Sequence, residues 1–191
     1  MTGRLILITG AQASGKTTVG RALAQRLTRT VHVDGDVVGG FVVSGEIPYD
    51  VPPPPGAVEQ LYLRYRGSLA AAGVYRQRGF DAIVTDNMFG QELVDVVGMA
   101  LEADDRGVYV VVLDPDVETI KVRERDRPKT GYSQSITPEM LLDAVRRDTP
   151  RIGLWHDSRG ETVDQTATAL LAGLDAALVT RAPARVQASR D

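Results

Sequence analysis

The chain has no cysteine among its 191 residues, which excludes disulfides, thiolate metal sites and cysteine nucleophiles together. Histidine is almost as scarce. With only His32 and His156, a zinc site built from protein ligands is short of donors. No apolar run approaches the roughly 20 residues that a membrane-spanning helix needs; the longest, Val108 to Leu113, is strand-sized. The start of the chain has one arginine and then only five apolar or hydroxyl residues before Gly10, too few for a secretory signal. A formal net charge of −3 gives no general drive toward nucleic acid, so a polyanion would need a local basic patch. Lysine is rare too, at three of the 22 basic residues, so Lys16 stands out wherever it falls. With 43% hydrophobic and 25% charged residues, the balance is that of an ordinary soluble domain, long enough to bury a core unaided. These limits predict a cytoplasmic enzyme or switch, monomeric or homodimeric, with no nucleic-acid or membrane partner.

The residues that remain alternate between short apolar strands and helices. Arg4 to Thr9 (RLILIT) is a β-branched run closed by Gly10, the pattern of a buried parallel strand. From Gly15 to Leu27, Val19, Leu23 and Leu27 recur every fourth residue, a helical period. Val31 to Val33 reads as a second strand ending at Asp34-Gly35-Asp36. Residues 44 to 56 (SGEIPYDVPPPPG) suit neither a helix nor a ladder and predict a long loop. A helix follows with Val58, Leu61, Tyr62, Tyr65, Leu69 and Ala72 on one face and Arg64, Arg66, Arg76 and Arg78 on the other. Asp81 to Thr85 predicts a third strand leading into Asp86-Asn87, then a helix from about Gln91 to Ala103. Val108 to Leu113 predicts the fourth strand, and Asp114-Pro115 an N-cap and first-turn proline. Thr137-Pro138 opens a helix to about Asp148, and Ile152 to His156 reads as a fifth strand. Thr162 with Gln165 forms a capping box for a last helix that buries Val163, Ala167, Leu170, Leu174 and Leu178. The sum is an α/β fold, a five-stranded parallel sheet with helices on both faces, in one domain over residues 1–180 with a flexible tail at 181–191.

Gly10-Ala11-Gln12-Ala13-Ser14-Gly15-Lys16-Thr17 fits G-x-x-x-x-G-K-[ST] between a predicted strand and a predicted helix, the context that gives this motif its meaning. The two glycines permit backbone angles and a close approach that a Cβ would block. Successive amides then form a concave anion nest at the positive end of a helix dipole. Lys16 would reach the β- and γ-phosphates, the Thr17 hydroxyl would ligate Mg²⁺, and Thr18 would cap or pack nearby.

The stretch ILITGAQASGKTTVGRALAQRL resembles the start of the small P-loop kinases. That group includes shikimate, gluconate and adenylylsulfate kinases and the chloramphenicol phosphotransferase-like and tunicamycin-resistance-like proteins. The resemblance implies a three-layer P-loop NTPase fold with a short lid over about 123–136, an acceptor-side loop and helix over about 37–78, and ATP with Mg²⁺ as cofactors. VHVDGD is similar to the LDGD stretch of gluconate and adenylylsulfate kinases. It implies Asp36 as the general base or acceptor-orienting residue and Asp34 as its partner, with the roles reversible and a capping role for either one open. Asp86 resembles a Walker B carboxylate that holds magnesium-bound water or orients the acceptor; it is equally placed to cap the next helix. Arg123, Arg125, Arg127 and Lys129 resemble a lid whose arginines close over phosphate, Arg123 and Arg127 foremost. A solvated helix end, with Glu124 and Asp126 pairing those arginines, fits the same residues. Trp155 to Gly160 resembles the segment that passes the adenine ring.

The acceptor pocket is expected where the residues after the second strand meet the Pro-rich loop and the helix beyond, with Phe41, Tyr62, Asp36, Asp86 and Asn87 as candidate contacts. Together these features predict an ATP-dependent phosphotransferase acting on a hydroxyl of a small molecule. An antibiotic is the first expectation, and a sugar acid or nucleoside the alternative. A GTP-binding switch is the reading of another class. Asp157-Ser158-Arg159-Gly160 matches D-x-x-G but lies after the fifth strand, and no N-K-x-D is present.

Overall fold

A computed structural model describes residues 2–104, 106–125, 132 and 136–181. Strands β1 (Leu5–Gly10), β2 (Thr30–Asp34), β3 (Asp81–Thr85), β4 (Val108–Leu113) and β5 (Leu154–His156) lie in the order β2-β3-β1-β4-β5. All four pairings among them are parallel. The central strands read as unbroken apolar runs because both of their faces are covered. Even so, side chains alternate. Leu5 and Leu7 pack into the core on one face, while Ile6 and Ile8 pack into the core on the other. Each of these four is at most 2% exposed, and burying such a side chain stabilises the fold by about 2 kcal/mol.

The first face is covered by α3 (Ala57–Arg76), α4 (Gln91–Ala103), α5 (Val117–Arg125) and α6 (Pro138–Asp148), through Tyr65, Leu93, Val97, Ile120 and Leu142. The second is covered by α1 (Lys16–Ala24) and α7 (Val163–Ala172), through Val19, Leu23, Ala167 and Leu170. Among the described residues no helix is long and apolar enough to cross a membrane.

Several boundaries differ from the sequence-based expectation, each for a local reason. A five-residue helix, α2 (Gly35–Gly39), follows β2 directly, with the Asp34 carboxylate accepting the Asp36 N–H. The cap of α5 is Asp116, whose side chain accepts the Thr119 N–H at 2.9 Å, not Asp114. The Asp114 N–H instead continues the ladder to the His156 carbonyl, and its carboxylate accepts from Arg146 at 2.7 Å. The last helix stops at Gly173, and a 3₁₀ turn (Leu174–Ala177) feeds β6 (Leu178–Val179), a sixth strand antiparallel to the start of β4. Leu178, now in β6, and Val163, the first residue of α7, are exposed rather than buried. On α3, Arg76 is not on a solvent face. It donates to the Gly3 carbonyl at 2.9 Å and to Asp104 at 2.6 Å from a buried position. Most of the expected lid and nearly all of the expected tail lie outside the described residues.

The capping box of α7 is complete: Thr162 accepts the Gln165 N–H, and the Gln165 side chain accepts the Thr162 N–H. Thr162→Ala removes one half of it. The expected loss is about 1 kcal/mol, read as a lower urea midpoint with an unchanged denaturant slope.

Candidate active site

At the carboxyl end of β1 the chain turns through Gly10 (φ 143°), Ala13 (φ 60°) and Gly15 (φ 101°) before α1 begins. Left-handed residues in such a turn are the conformations from which anion nests are built. Ala13 is the only non-glycine residue with positive φ among the described residues, a strained placement of the kind concentrated at functional sites. A Cβ on Gly10 would lie 2.4 Å from the Leu113 carbonyl oxygen, so the loop closes this tightly against β4 only with glycine there. The N-terminus of α1 has no side-chain cap and no acidic residue in its first turn. The positive end of its dipole therefore has no acidic side chain of its own helix beside it. The Lys16 ammonium donates to the Gly10 and Ala11 carbonyls at 3.0 and 2.9 Å, which holds it over the loop that precedes it.

A cleft of about 290 Å³ opens over this loop, lined on one side by Gln12, Ala13, Gly15, Lys16, Thr17 and Thr18. Asp34, Asp36, Asp86 and Asn87 line it elsewhere. The structure thus brings together the phosphate-loop residues and the carboxylates expected after β2 and β3. Gly10 and Ala11 are buried beneath the loop and Ser14 within it. Asp34 serves as the N-cap of α2, whereas Asp36 is exposed in the first turn of that helix. The Thr17 hydroxyl and the Asp34 and Asp36 carboxylates are hard oxygen donors, the chemistry that suits Mg²⁺.

Asp86 has a different setting from the one its position suggests. Its side chain is 1% exposed and accepts from Arg64 at 2.7 Å through Oδ1. The same oxygen accepts the Asn87 N–H at 2.7 Å, but α4 begins at Gln91 with Gly90 as its N-cap and no side-chain cap, so Asp86 does not cap that helix. Oδ2 is buried with no partner and abuts Gly35, where a Cβ would lie 2.0 Å away. Burial pushes the Asp86 carboxyl up to about 6, against the opposing pull of the Arg64 guanidinium. Arg64 was expected on the helix face opposite the apolar one and, with Arg66, as charge available to the acceptor pocket. Its link to a carboxylate 22 residues away is the main feature of the site that residue spacing did not reveal. The one hint was Gly35 and Gly39, four apart, which form a bare face on α2: a Cβ at Gly39 would lie 3.1 Å from Arg64 Cδ.

The remaining expected residues divide. The Arg123 guanidinium donates to the Ser14 carbonyl at 2.7 Å and the Ser158 carbonyl at 3.2 Å. It ties the loop after β5 to the phosphate loop while lining the cleft. Arg127 and Lys129 lie outside the described residues. Tyr62 donates its hydroxyl to Asp95 at 2.6 Å and lines neither the cleft nor the cavity described below. Its hydroxyl is thus engaged with α4. His156, read as structural, hydrogen-bonds Glu161 at 2.7 Å, and His32 on β2 contacts the Thr85 hydroxyl at 2.9 Å. Tyr132, which sequence reasoning left out, donates to the Gln12 carbonyl at 2.6 Å.

A second cavity of about 500 Å³ lies between the segment after α2 and the first half of α3. Phe41, 71% exposed, is on its wall together with Val42, Tyr49 and Leu61. Arg64 also lines it, so one side chain borders this cavity and reaches a carboxylate of the cleft.

Residues 5–151 match the model of a family described as an AAA domain. No curated protein matches the chain. Among solved structures, the chain is similar to a sugar kinase from Janibacter sp. HTCC2649, at 19% identity over 92% of this chain and 96% of that one, with a TM-score of 0.63. It is similar to the tunicamycin resistance protein of Deinococcus radiodurans, at 18% identity over 95% and 99%, with a TM-score of 0.66. A third is the APS kinase of Mycobacterium tuberculosis in complex with AMPPNP and APS, at 13% identity over 91% and 98%, with a TM-score of 0.66. At these identities the likeness establishes a shared fold.

The raised Asp86 carboxyl makes a signed prediction. Its folded pKa, about 6, lies above the ordinary 3.8, so the folded chain binds that proton more tightly than the unfolded chain. The resulting stability is fully present below about pH 4 and is lost as pH rises through about 6, on the order of 2–3 kcal/mol. Asp86→Asn is expected to remove this decline while lowering stability overall, because Arg64 loses its partner. Urea unfolding of both proteins from pH 4 to pH 7 measures the difference.

Proposed function

From a chain that belongs to the AAA domain family and has the fold of small P-loop kinases, we propose an ATP-dependent phosphotransferase that transfers the γ-phosphate to a hydroxyl of a small molecule. The observation that carries this reading is the uncapped start of α1 beneath a strained phosphate loop, with two carboxylates of β2–α2, Asp34 and Asp36, lining the same cleft. An anion is drawn to the first feature, and the second offers a proton acceptor beside it.

In this mechanism the loop from Gly10 to Thr17 cradles the triphosphate, Lys16 leaves its carbonyl partners for the β- and γ-phosphates, and Thr18 supports the start of the helix. The acceptor hydroxyl approaches from the α2 side. Asp36 orients it and takes its proton as the new O–P bond forms and the bond from phosphorus to the β–γ bridging oxygen breaks, releasing ADP. Asp34 caps α2 and so fixes where Asp36 stands. Mg²⁺, when bound, would neutralise phosphate charge; Thr17 with the Asp34 carboxylate would hold it, and Asp86 Oδ2 is the remaining oxygen of a carboxylate otherwise engaged. Arg123, which lines the cleft, supplies positive charge beside the phosphates, and Arg127 is the second arginine of this reading. Positioning and electrostatics account for the rate, as in phosphoryl transfer generally. Asn87, whose amide donates to Gln12 at 2.9 Å, joins the phosphate loop to the acceptor side.

For the acceptor, the aromatic and apolar wall around Phe41 and Tyr49 favours an antibiotic, in a resistance-type O-phosphotransfer. A sugar acid or nucleoside is the second reading, supported by the likeness to a sugar kinase. Its setting would be cytoplasmic, where ATP is available. Titration with ATP and with GTP separates this reading from a nucleotide switch, since GTP-only binding would fit only the switch.

Lys16→Ala is expected to lower ATP turnover by about 10²-fold or more with an unchanged melting temperature. Asp36→Asn should keep nucleotide affinity and lose transfer, again by about 10²-fold or more. Nucleotide-binding fluorescence beside an ADP-release assay measures both. If Asp34→Asn alone reproduces the loss, the proton acceptor is Asp34.

A further inference from the structure

The second cavity has a charge pattern that restricts what it can hold. We infer that it seats the body of an uncharged, largely apolar alcohol, and that the Arg64–Asp86 pair is what keeps acids out. This rests on the phosphotransferase reading for the word acceptor, and on the cavity alone for the chemical class.

Its walls are mostly hydrocarbon and ring: Val38, Phe41, Val42, Ile47, Tyr49 and Leu61. A volume of about 500 Å³ lies within the range that small-molecule sites occupy, roughly 300–1,000 Å³. Of the polar residues there, Gln60 is already committed, its oxygen accepting the Ile47 N–H at 2.9 Å and its amide donating to the Gly45 carbonyl at 2.7 Å. Arg64 is the one basic residue on the wall among the described residues, and Glu46 adds a carboxylate. The Arg64 charge is matched by the buried Asp86, 2.7 Å from its Nη2. With the Arg64 charge already balanced by Asp86, an anionic acceptor meets no net positive charge on this wall and faces the Glu46 carboxylate. Leaving its charge in a mostly apolar cavity without a counter-charge is costly. A neutral alcohol carries no such cost.

Helix α2 joins this cavity to the reaction centre. Asp36 borders the phosphate cleft, and Val38 and Gly39 border the cavity. A molecule whose apolar body fills the cavity therefore presents its hydroxyl near the Asp36 end of a one-turn wall.

The test uses the whole chain with Mg·ADP and ligand-observed NMR. The neutral probes are 3-phenyl-1-propanol and octyl glucoside, and the anionic probes are gluconate and shikimate. The neutral probes are expected to bind at least about tenfold more tightly than the anions. Val42→Arg, on the exposed rim, places an unmatched cation in the cavity. It should lose the neutral probes and admit gluconate. Phe41→Ala should weaken the neutral probes without admitting gluconate, and both variants should keep nucleotide affinity. Preferential binding of gluconate or shikimate by the wild-type chain overturns the inference, and so does binding of neither set. The same samples are then given Mg·ATP. If the neutral probes bind, respond to Val42→Arg and yet no alcohol accepts phosphate, the cavity's class stands and the phosphotransferase reading fails.

Discussion

A carboxylate buried at the end of the third strand and matched by an arginine from the longest helix is the interaction around which the site is arranged. Asp86 can be held at 1% side-chain exposure only because Arg64 meets it at 2.7 Å. Removing one partner of such a pair strands the other and costs about 3–5 kcal/mol. That requirement propagates outward. Arg64 can reach Asp86 only if α2 presents no side chain at Gly35 and little at Gly39, where a Cβ would lie 2.0 Å from Asp86 Oδ2 and 3.1 Å from Arg64 Cδ. The glycine face of α2 therefore sets how close α2 lies to the sheet. That in turn sets where Asp34 and Asp36 stand relative to the phosphate loop.

Polar atoms in and beside the cleft are among the buried ones without a partner in the described residues; the others are Thr30 Oγ1, Ser68 Oγ and Trp155 Nε1. Ser14 Oγ, Asp86 Oδ2, Asn87 Oδ1 and Arg64 Nε are buried without a partner. Buried polar groups are satisfied in the great majority of cases, and exceptions need an explanation. Together with the strained Ala13 and the uncapped α1, they describe a region poorer in internal bonds than the core beneath it. The apolar layers anchored by Ile6, Leu7 and Ile8 supply the stability that lets this region persist unsatisfied.

Much of this was legible in the sequence, and the parts that were not share a cause. Strands β1, β3 and β4 announce themselves because parallel strands buried on both faces must be apolar throughout. The caps at Thr137 and Thr162 are legible because capping is settled within four residues. The phosphate loop is legible because its glycines answer local backbone geometry. By contrast, the Arg64–Asp86 pair depends on the rotation of α3 against the sheet, and Arg64 and Arg66 look alike as residues on an apparently polar stripe. The hydrophobic period placed Tyr62 beside Tyr65 without showing that one faces α4 while the other donates to the Asn87 carbonyl at 2.6 Å. Asp114 and Asp116 are both plausible caps. Only the ladder bond from the Asp114 N–H to the His156 carbonyl decides between them. β6 was read as helix because Leu178 falls in the helical period, and Gly173 ends that period early.

The same contrast bears on how the two halves of the site communicate. The phosphate loop sits on β1 and α1, deep in the sheet, and its geometry is fixed by packing against β4. The acceptor side rests on a five-residue helix and a Pro- and Gly-rich segment with few apolar anchors. Between them the structure offers a short set of direct links: the Asn87 amide to Gln12 at 2.9 Å, and Arg64 to Asp86 at 2.7 Å. Both links leave from the turn after β3, the residue pair Asp86-Asn87. That turn is thus hydrogen-bonded to the phosphate loop on one side and, through Arg64, to the wall of the second cavity on the other.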